Sequence, residues 1–174
     1  MNISKKNRSL ATSAVISALY VALTYSQNAI FLGSTSMAIQ FRVSEALCVL
    51  SLFTPAAIPG LTVGCLLANI VSFGALPMDM LFGTLASFLA ALSMYALRRV
   101  TFKGLPLLSL AMPAVFNGII VGAEIEAFFI EGPFRFSSFF IQGGCVAIGE
   151  LGVLFTLGIM LVKIIRNKKL EKYL

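Results

Sequence analysis

The chain has 174 residues, of which 59% are hydrophobic, and carries a formal net charge of +6 with a mean hydropathy of +0.96. No polar stretch is long enough for a soluble domain, so residues 1–174 are predicted to form one transmembrane domain. Histidine is absent, which argues against zinc or haem sites and against Ser–His or Cys–His hydrolysis. We therefore expect no catalytic residue, no metal and no cofactor. The chain also lacks the glycine-rich loop that holds ATP phosphates, so it should not hydrolyse ATP itself.

The apolar runs predict an all-α membrane protein with six transmembrane helices in a bundle. The predicted helices cover residues 10–32, 41–54, 58–73, 80–97, 105–130 and 136–166. A membrane-crossing helix needs about 20 residues, so the second and third are short, and a re-entrant pair is an alternative there. Pro55 and Pro59 predict a tight turn between these two, and Gly74, Pro77 and Asp79 predict a turn after the third.

Basic residues form three clusters that flank the predicted helices. They are Lys5, Lys6 and Arg8; Arg98, Arg99 and Lys103; and Lys163, Arg166, Lys168, Lys169 and Lys172. Six helices place both termini and the 98–103 loop on one side, and the positive-inside rule makes that side cytoplasmic. We expect a multi-pass protein of the plasma membrane. Nucleic-acid binding is not expected, because the clusters are short and adjoin membrane helices.

Four glutamates lie inside or at the edge of apolar stretches: Glu45, Glu124, Glu126 and Glu150. A carboxylate at the middle of a membrane helix costs about 2.5–3.5 kcal/mol, so such residues usually face a cavity, a partner charge or a substrate. Glu150 is predicted near mid-membrane. Glu124 shares a helix face with Asn117, seven residues earlier, whereas Glu126 should point elsewhere and be solvated at the membrane surface.

A dense polar group, Gln40 to Glu45, begins the second predicted helix. It is either part of a binding site or an interfacial ion pair between Arg42 and Glu45, three residues apart. Ser44 lies where a helix N-cap is possible. The candidate substrate-binding residues are Gln40, Arg42, Glu45, Asn117, Glu124 and Glu150.

Small residues recur at helical spacing on the first predicted helix, at Ala14, Ala18 and Ala22. Such rows allow two helix backbones to approach closely, either within the bundle or against another protein. Two similar rows are predicted to pack inside the bundle. They are Gly60, Gly64 and Ala68 on the third helix, and Gly83, Ser87 and Ala91 on the fourth.

Five segments together resemble the QueT family of substrate-binding S-components of energy-coupling factor (ECF) transporters. They are QFRVSE (40–45), FTPAAIPGL (53–61), FGTLA (82–86), FNGIIVGAE (116–124) and IGE (148–150). The resemblance covers about residues 9–165. It implies a six-helix protein that captures a queuosine precursor and works with a transmembrane coupling protein and two cytosolic ATPases.

In this family an alanine-x-x-x-alanine row on the first helix meets the coupling protein, and Ala14 and Ala18 match it. The family also tends to carry an aromatic residue, often Trp, before the acid of the sixth helix. This chain has no Trp, so stacking on a ligand would fall to a phenylalanine. The candidates are Phe134, Phe136, Phe139 and Phe140.

The acids suit the ligand class that the resemblance implies. A 7-deazaguanine base presents a ring N–H and an amine side by side, and a carboxylate accepts paired donors. An amide such as Gln40 or Asn117 can serve the ring carbonyl, and a second carboxylate would hold the cation of an aminomethyl precursor. Three alternatives stay open: a stand-alone proton-coupled carrier, an S-component for another vitamin-like substrate, and a membrane scaffold that transports nothing.

Overall fold

The computed structural model describes residues 3–30, 41–71 and 77–173, and within these ranges the chain is helical with no strand. Six helices are named here in chain order, followed by a short terminal turn of 3₁₀-helix at Leu170–Tyr173. They are α1 (Ile3–Ile30), α2 (Val43–Leu52), α3 (Ala57–Val71), α4 (Pro77–Ala96), α5 (Leu107–Phe129) and α6 (Phe136–Asn167).

The predicted all-α, multi-helix membrane protein is confirmed, and the described helix boundaries agree with the expected ones to within three residues, except that α1 begins at Ile3 and not near residue 10. Of the described helices, α1, α4, α5 and α6 are long and apolar enough to cross a membrane, whereas α2 and α3 are shorter. α2 is a 3₁₀-helix of ten residues, so it extends about 20 Å where an α-helix of that length would extend about 15 Å. The larger rise per residue partly compensates for the small number of apolar residues in α2.

The three basic clusters lie together at one end of the bundle. Arg8 Nη2 donates to the backbone oxygen of Lys172 at 2.8 Å, and Arg166 Nη1 donates to the backbone oxygen of Gly104 at 2.7 Å. These bonds join the N-terminal region, the α4–α5 connection and the C-terminal region at what we call the basic end. The opposite end, where α1 stops, α2 and α4 begin and α5 is followed by α6, is called the acidic end.

Glycines allow α3 to approach α1 very closely. A Cβ atom on Gly60 would lie 2.8 Å from the backbone oxygen of Ser13, and one on Gly64 would lie 2.8 Å from Cβ of Tyr20. Both glycines are buried. The predicted internal packing of the third-helix row is therefore confirmed, and the buried fourth-helix row, Gly83, Ser87 and Ala91, confirms the second such prediction.

Three local expectations were wrong. Pro59 lies in the first turn of α3, so of the two prolines only Pro55 lies in the turn between α2 and α3. Pro77 and Asp79 lie in the first turn of α4 rather than in a turn before it, a position that suits proline because the missing N–H has no acceptor there. Ser44 lies inside α2 and not at its cap, since the helix begins at Val43. Residues 31–40 and 72–76, which include most of the predicted outer connections, are outside the described residues.

Candidate binding site at the acidic end

All four glutamates singled out in the sequence are buried. Glu45 is 0% exposed, Glu150 is 1% exposed, and Glu124 and Glu126 are each 2% exposed. Buried polar groups are almost always hydrogen-bonded. The partners of each carboxyl group therefore decide which of them is structural and which remains available to a ligand.

Glu150 is joined to Asn117 across the α5–α6 contact. Asn117 Nδ2 donates to Glu150 Oε1 at 3.1 Å, while the buried Oε2 has no hydrogen-bond partner among the described residues. Close packing of the two helices permits this pairing, since a Cβ atom on Gly118 would lie 3.0 Å from the backbone oxygen of Gly143. The sequence predicted that Asn117 and Glu124 lie on one face of α5. At Asn117 that face contacts α6.

Glu124 lies near the acidic end of α5, opposite the start of α4. Its Oε1 atom is buried without a partner in the described part of the chain. Its carboxyl group is close enough to that of Asp79 for the two to interact. Asn69 fixes this corner, because its Nδ2 donates to the backbone oxygen of Asp79 at 2.9 Å. The carboxyl groups of Glu124 and Asp79 thus lie close together, and Oε1 of Glu124 is an acceptor without a partner among the described residues.

The expectation that Glu126 is solvated was wrong. The last turn of α5, Ile125–Phe129, widens to a π-helix and turns this side chain into the protein. Glu126 Oε1 accepts from the backbone N–H of Arg135 at 3.0 Å, which ties α5 to the start of α6. Its Oε2 is buried without a partner in the described ranges.

Glu45 differs from the other three because the protein satisfies both of its oxygens. The hydroxyl of Tyr20 on α1 donates to Oε1, and Cys48 Sγ donates to Oε2 at 3.1 Å. Neither Tyr20 nor Cys48 was assigned a role from the sequence. The carboxyl group therefore connects two helices.

Arg42 is the one basic side chain at the acidic end that is not exposed, among the residues the structure describes. Its Nε atom is buried without a partner there, and it lies within electrostatic range of Glu45 and Glu150. The neighbouring Phe41 ring lies against α6, with one ring carbon 3.4 Å from the position a Cβ would take on Gly152. Arg42 is therefore placed between α2 and the Glu150 region of α6.

Each acid that bears on the site adjoins an irregular helix. Glu45 lies in the 3₁₀-helix α2, Glu124 directly precedes the π-turn of α5, and Glu150 lies four residues before a second π-turn at Leu154–Gly158. Non-α turns are frequent at functional sites because they redirect side chains.

Gln40 lies outside the described residues, so its predicted role stays a prediction. Of the phenylalanines considered for stacking, Phe136 and Phe140 point away from the bundle with about seven-tenths of their surface exposed. Phe139 is half-buried, and its ring reaches to 3.7 Å from the position of a Cβ on Gly122, two residues before Glu124. Among the four, Phe139 is the one whose side chain is not exposed, since Phe134 is 46% exposed.

The alanine row of α1 lies on the outside of the bundle. Ala14, Ala18 and Ala22 are all exposed, while Tyr20, Thr24 and Gln27 of the same helix are buried. The row is not used for packing within the described part of the protein. The buried residues recur every three to four positions, and this spacing was the signal that could have identified the inner face from the sequence.

Known proteins resemble this chain over most of its length. The family model described as "QueT transporter" matches residues 10–167. A curated protein of Lactococcus lactis subsp. cremoris (strain MG1363), named "Queuosine precursor transporter QueT", is 32% identical over 155 residues, which cover 86% of this chain and 88% of that protein. No solved structure matches the chain significantly.

Proposed function

Because this chain belongs to the QueT transporter family, we propose that it is the substrate-binding membrane subunit of an ATP-driven ECF importer that takes up a queuosine precursor. One observation carries the proposal: Glu124 and Glu150, two of the acids predicted to bind substrate, each bury a carboxyl oxygen that has no partner in the described ranges. A bound molecule that donates hydrogen bonds would satisfy them. In this role the chain transports and does not catalyse.

The edge of a 7-deazaguanine base matches the acceptors on α5 and α6. Its ring N–H and amine are adjacent donors, and the carboxylate of Glu150 has one oxygen free and further capacity on the oxygen that Asn117 already contacts. The base also presents a carbonyl oxygen. Arg42 is suited to donate to it, because its buried Nε has no partner among the described residues.

The charge balance favours a precursor that carries a cation. Between the acidic end and the middle of the bundle, four buried carboxyl groups accompany one half-buried arginine among the described residues. Buried charges are costly unless they are paired. An aminomethyl group would supply a positive charge beside Glu124, so we propose 7-aminomethyl-7-deazaguanine ahead of the uncharged cyano precursor.

The exposed alanine row and the basic end support the proposed partners. Ala14, Ala18 and Ala22 offer a surface on which another helix can approach closely. We propose that this row contacts the transmembrane coupling protein, which in turn binds two cytosolic ATPases. The gathering of the basic clusters at one end supports a plasma-membrane orientation with both termini cytoplasmic.

A second candidate is a stand-alone carrier in which Glu124 or Glu150 moves a proton with the substrate. Buried membrane acids often form proton relays, and the unpartnered oxygens fit this use as well. The third candidate function is that of an S-component for another vitamin-like substrate.

Identification of the co-purifying small molecule separates these candidates. The protein is extracted in mild detergent, and its bound small molecules are released and measured by mass spectrometry. We expect a 7-deazaguanine with an aminomethyl group, together with ATPase subunits in the same preparation from the native host. Release of a different vitamin-like molecule would identify that molecule as the substrate in place of the deazaguanine. Uptake into cells that persists without any ATPase would favour the proton-coupled carrier.

A further inference from the structure

The connection between α4 and α5 contains a tight turn at Phe102–Leu105, at the basic end. The N–H of Phe102 donates to the backbone oxygen of Leu105 at 2.8 Å, and the N–H of Leu105 donates to the oxygen of Phe102 at 3.0 Å. Between them, Lys103 and Gly104 have φ angles of +49° and +79°, as a two-residue hairpin turn of type I′ requires. Arg166 of α6 donates to the oxygen of Gly104 at 2.7 Å, so the turn is also fixed to the bundle.

The lengths of the neighbouring helices place this turn at the depth of the lipid headgroups. α4 has 20 residues and is therefore about 30 Å long, which equals the thickness of the hydrocarbon core. α5 begins at Leu107, so the short connection cannot extend far from the membrane surface. Phe102 is nevertheless 63% exposed, and Val100 is exposed as well. Apolar side chains at this depth insert into the boundary between headgroups and acyl chains.

The cations around the Phe102 ring match the charge of an acidic headgroup. Arg99 and Lys103 lie on either side of Phe102 in the chain, and both are exposed. Lys103 Nζ is 5.7 Å from the centre of the ring. Arg166 is exposed too, and after its bond to Gly104 its guanidinium group has further N–H donors. An apolar ring with three cations around it is thus held in one geometry by the turn.

We propose that this turn is a binding surface for anionic phospholipid headgroups. The Phe102 ring enters the boundary between headgroups and acyl chains, while Arg99, Lys103 and Arg166 bind the phosphate group. The inference goes beyond the proposed function and needs neither the substrate nor the ATPases. Only the assignment to the cytoplasmic leaflet rests on the proposed orientation.

Lipid fits this surface better than an acidic segment of a partner protein. The exposed alanine row, where the coupling protein is proposed to dock, lies on α1, and α1 makes no contact with α4 or α5 in the described ranges. The two helices that carry the turn also expose leucines near it, Leu92 on α4 and Leu108 on α5. These side chains indicate that acyl chains surround the base of the turn.

The test uses the absence of tryptophan from this chain. Phe102→Trp keeps an aromatic side chain at the turn and gives the protein a single indole, whose fluorescence bromine quenches on contact. The variant is reconstituted into vesicles of equal parts phosphatidylglycerol and phosphatidylcholine. In one preparation the phosphatidylglycerol carries brominated acyl chains, and in the other the phosphatidylcholine does. Because the headgroup composition is the same, a difference in quenching reports which lipid adjoins the indole.

We expect brominated phosphatidylglycerol to quench at least about twofold more than brominated phosphatidylcholine, because each basic side chain at the surface attracts anionic lipid. Adding Arg99→Gln and Lys103→Gln to Phe102→Trp should make the two lipids quench equally. Lys5→Gln with Lys6→Gln is the matched control. It removes the same charge from the same end of the bundle, at exposed residues of α1, and should preserve the difference.

Three outcomes would overturn the inference. Equal quenching by the two lipids in Phe102→Trp would show an aromatic anchor without preference for anionic headgroups. An equal loss of the difference in both charge variants would show a diffuse effect of net charge. Absence of quenching by either lipid would place the indole outside the bilayer and favour an acidic partner protein. None of these readouts involves the substrate, so they are unaffected if the proposed function fails.

Discussion

The α1–α2 region and the α5–α6 region each bury a glutamate almost completely, yet the two carboxyl groups have opposite surroundings. Glu45 between α1 and α2 takes a hydrogen bond on each oxygen, from Tyr20 and from Cys48. Glu150 between α5 and α6 takes one from Asn117, and its second oxygen has no partner in the described residues. Burial alone therefore does not identify a ligand group in this protein. An oxygen without a hydrogen-bond partner among the described residues is the difference between Glu150 and Glu45, and it leaves Glu150 with capacity for a ligand.

The comparison predicts that the α1–α2 region contributes to transport, whereas its acid, Glu45, does not contact the ligand. Ala18→Leu should abolish uptake and leave ligand affinity unchanged, because a bulky side chain on the exposed row blocks approach of the coupling protein. Ala96→Leu is the size-matched control, since Ala96 is an exposed alanine at the end of α4 and lies outside the row. Uptake in vesicles and binding in detergent are measured in parallel. Loss of binding together with uptake would place the row inside the folded core.

In the α5–α6 region the largest effect on affinity is expected at Glu150. Glu150→Gln preserves volume but removes a charged acceptor, so binding of the deazaguanine should weaken by about 1.5–3 kcal/mol. Glu124→Gln should have an effect of the same order. Glu131→Gln, at an exposed carboxyl in the α5–α6 connection, is the control. A folded Glu150→Gln protein with unchanged affinity would break the comparison and favour the proton-coupled carrier.

Close packing of α3 on α1 should matter for the α1–α2 region specifically. Gly64→Ala places a methyl group 2.8 Å from Cβ of Tyr20, and such overpacking costs about 1–3 kcal/mol of stability. Gly144→Ala is a matched control, because a Cβ there meets nothing within 4 Å. The midpoint temperature of thermal unfolding should fall for Gly64→Ala only. Equal midpoint temperatures for the two variants would show that α1 and α3 are less tightly packed than described.

The smallest effect is expected at Glu126. In Glu126→Gln the amide oxygen can still accept from the N–H of Arg135, so stability should change by less than about 0.5 kcal/mol. Glu126→Ala should lose more, because that N–H is left without its acceptor. A large loss of affinity in a stable Glu126→Gln protein would instead add Glu126 to the ligand contacts.

The sequence was sufficient for most helix ranges and for placing Glu124 and Glu150 inside the bundle, because apolar length and rare charges within apolar runs are local signals. It did not separate Glu45 from Glu150, since the difference lies in the Tyr20 hydroxyl, 25 residues away along the chain. It also misplaced Glu126, because the period of an α-helix does not apply in the π-turn at Ile125–Phe129. Asp79 was assigned to a turn, so its approach to Glu124 was missed.

Binding selectivity of the purified wild-type protein tests the central claim most directly. Affinities are measured for 7-aminomethyl-7-deazaguanine and for its adenine counterpart, which has the same cation but lacks the adjacent ring N–H and amine donors. The account predicts at least about tenfold tighter binding of the guanine type, because only that edge satisfies the carboxylate on α6. Equal affinity for the two compounds, or tighter binding of the adenine type, would contradict it.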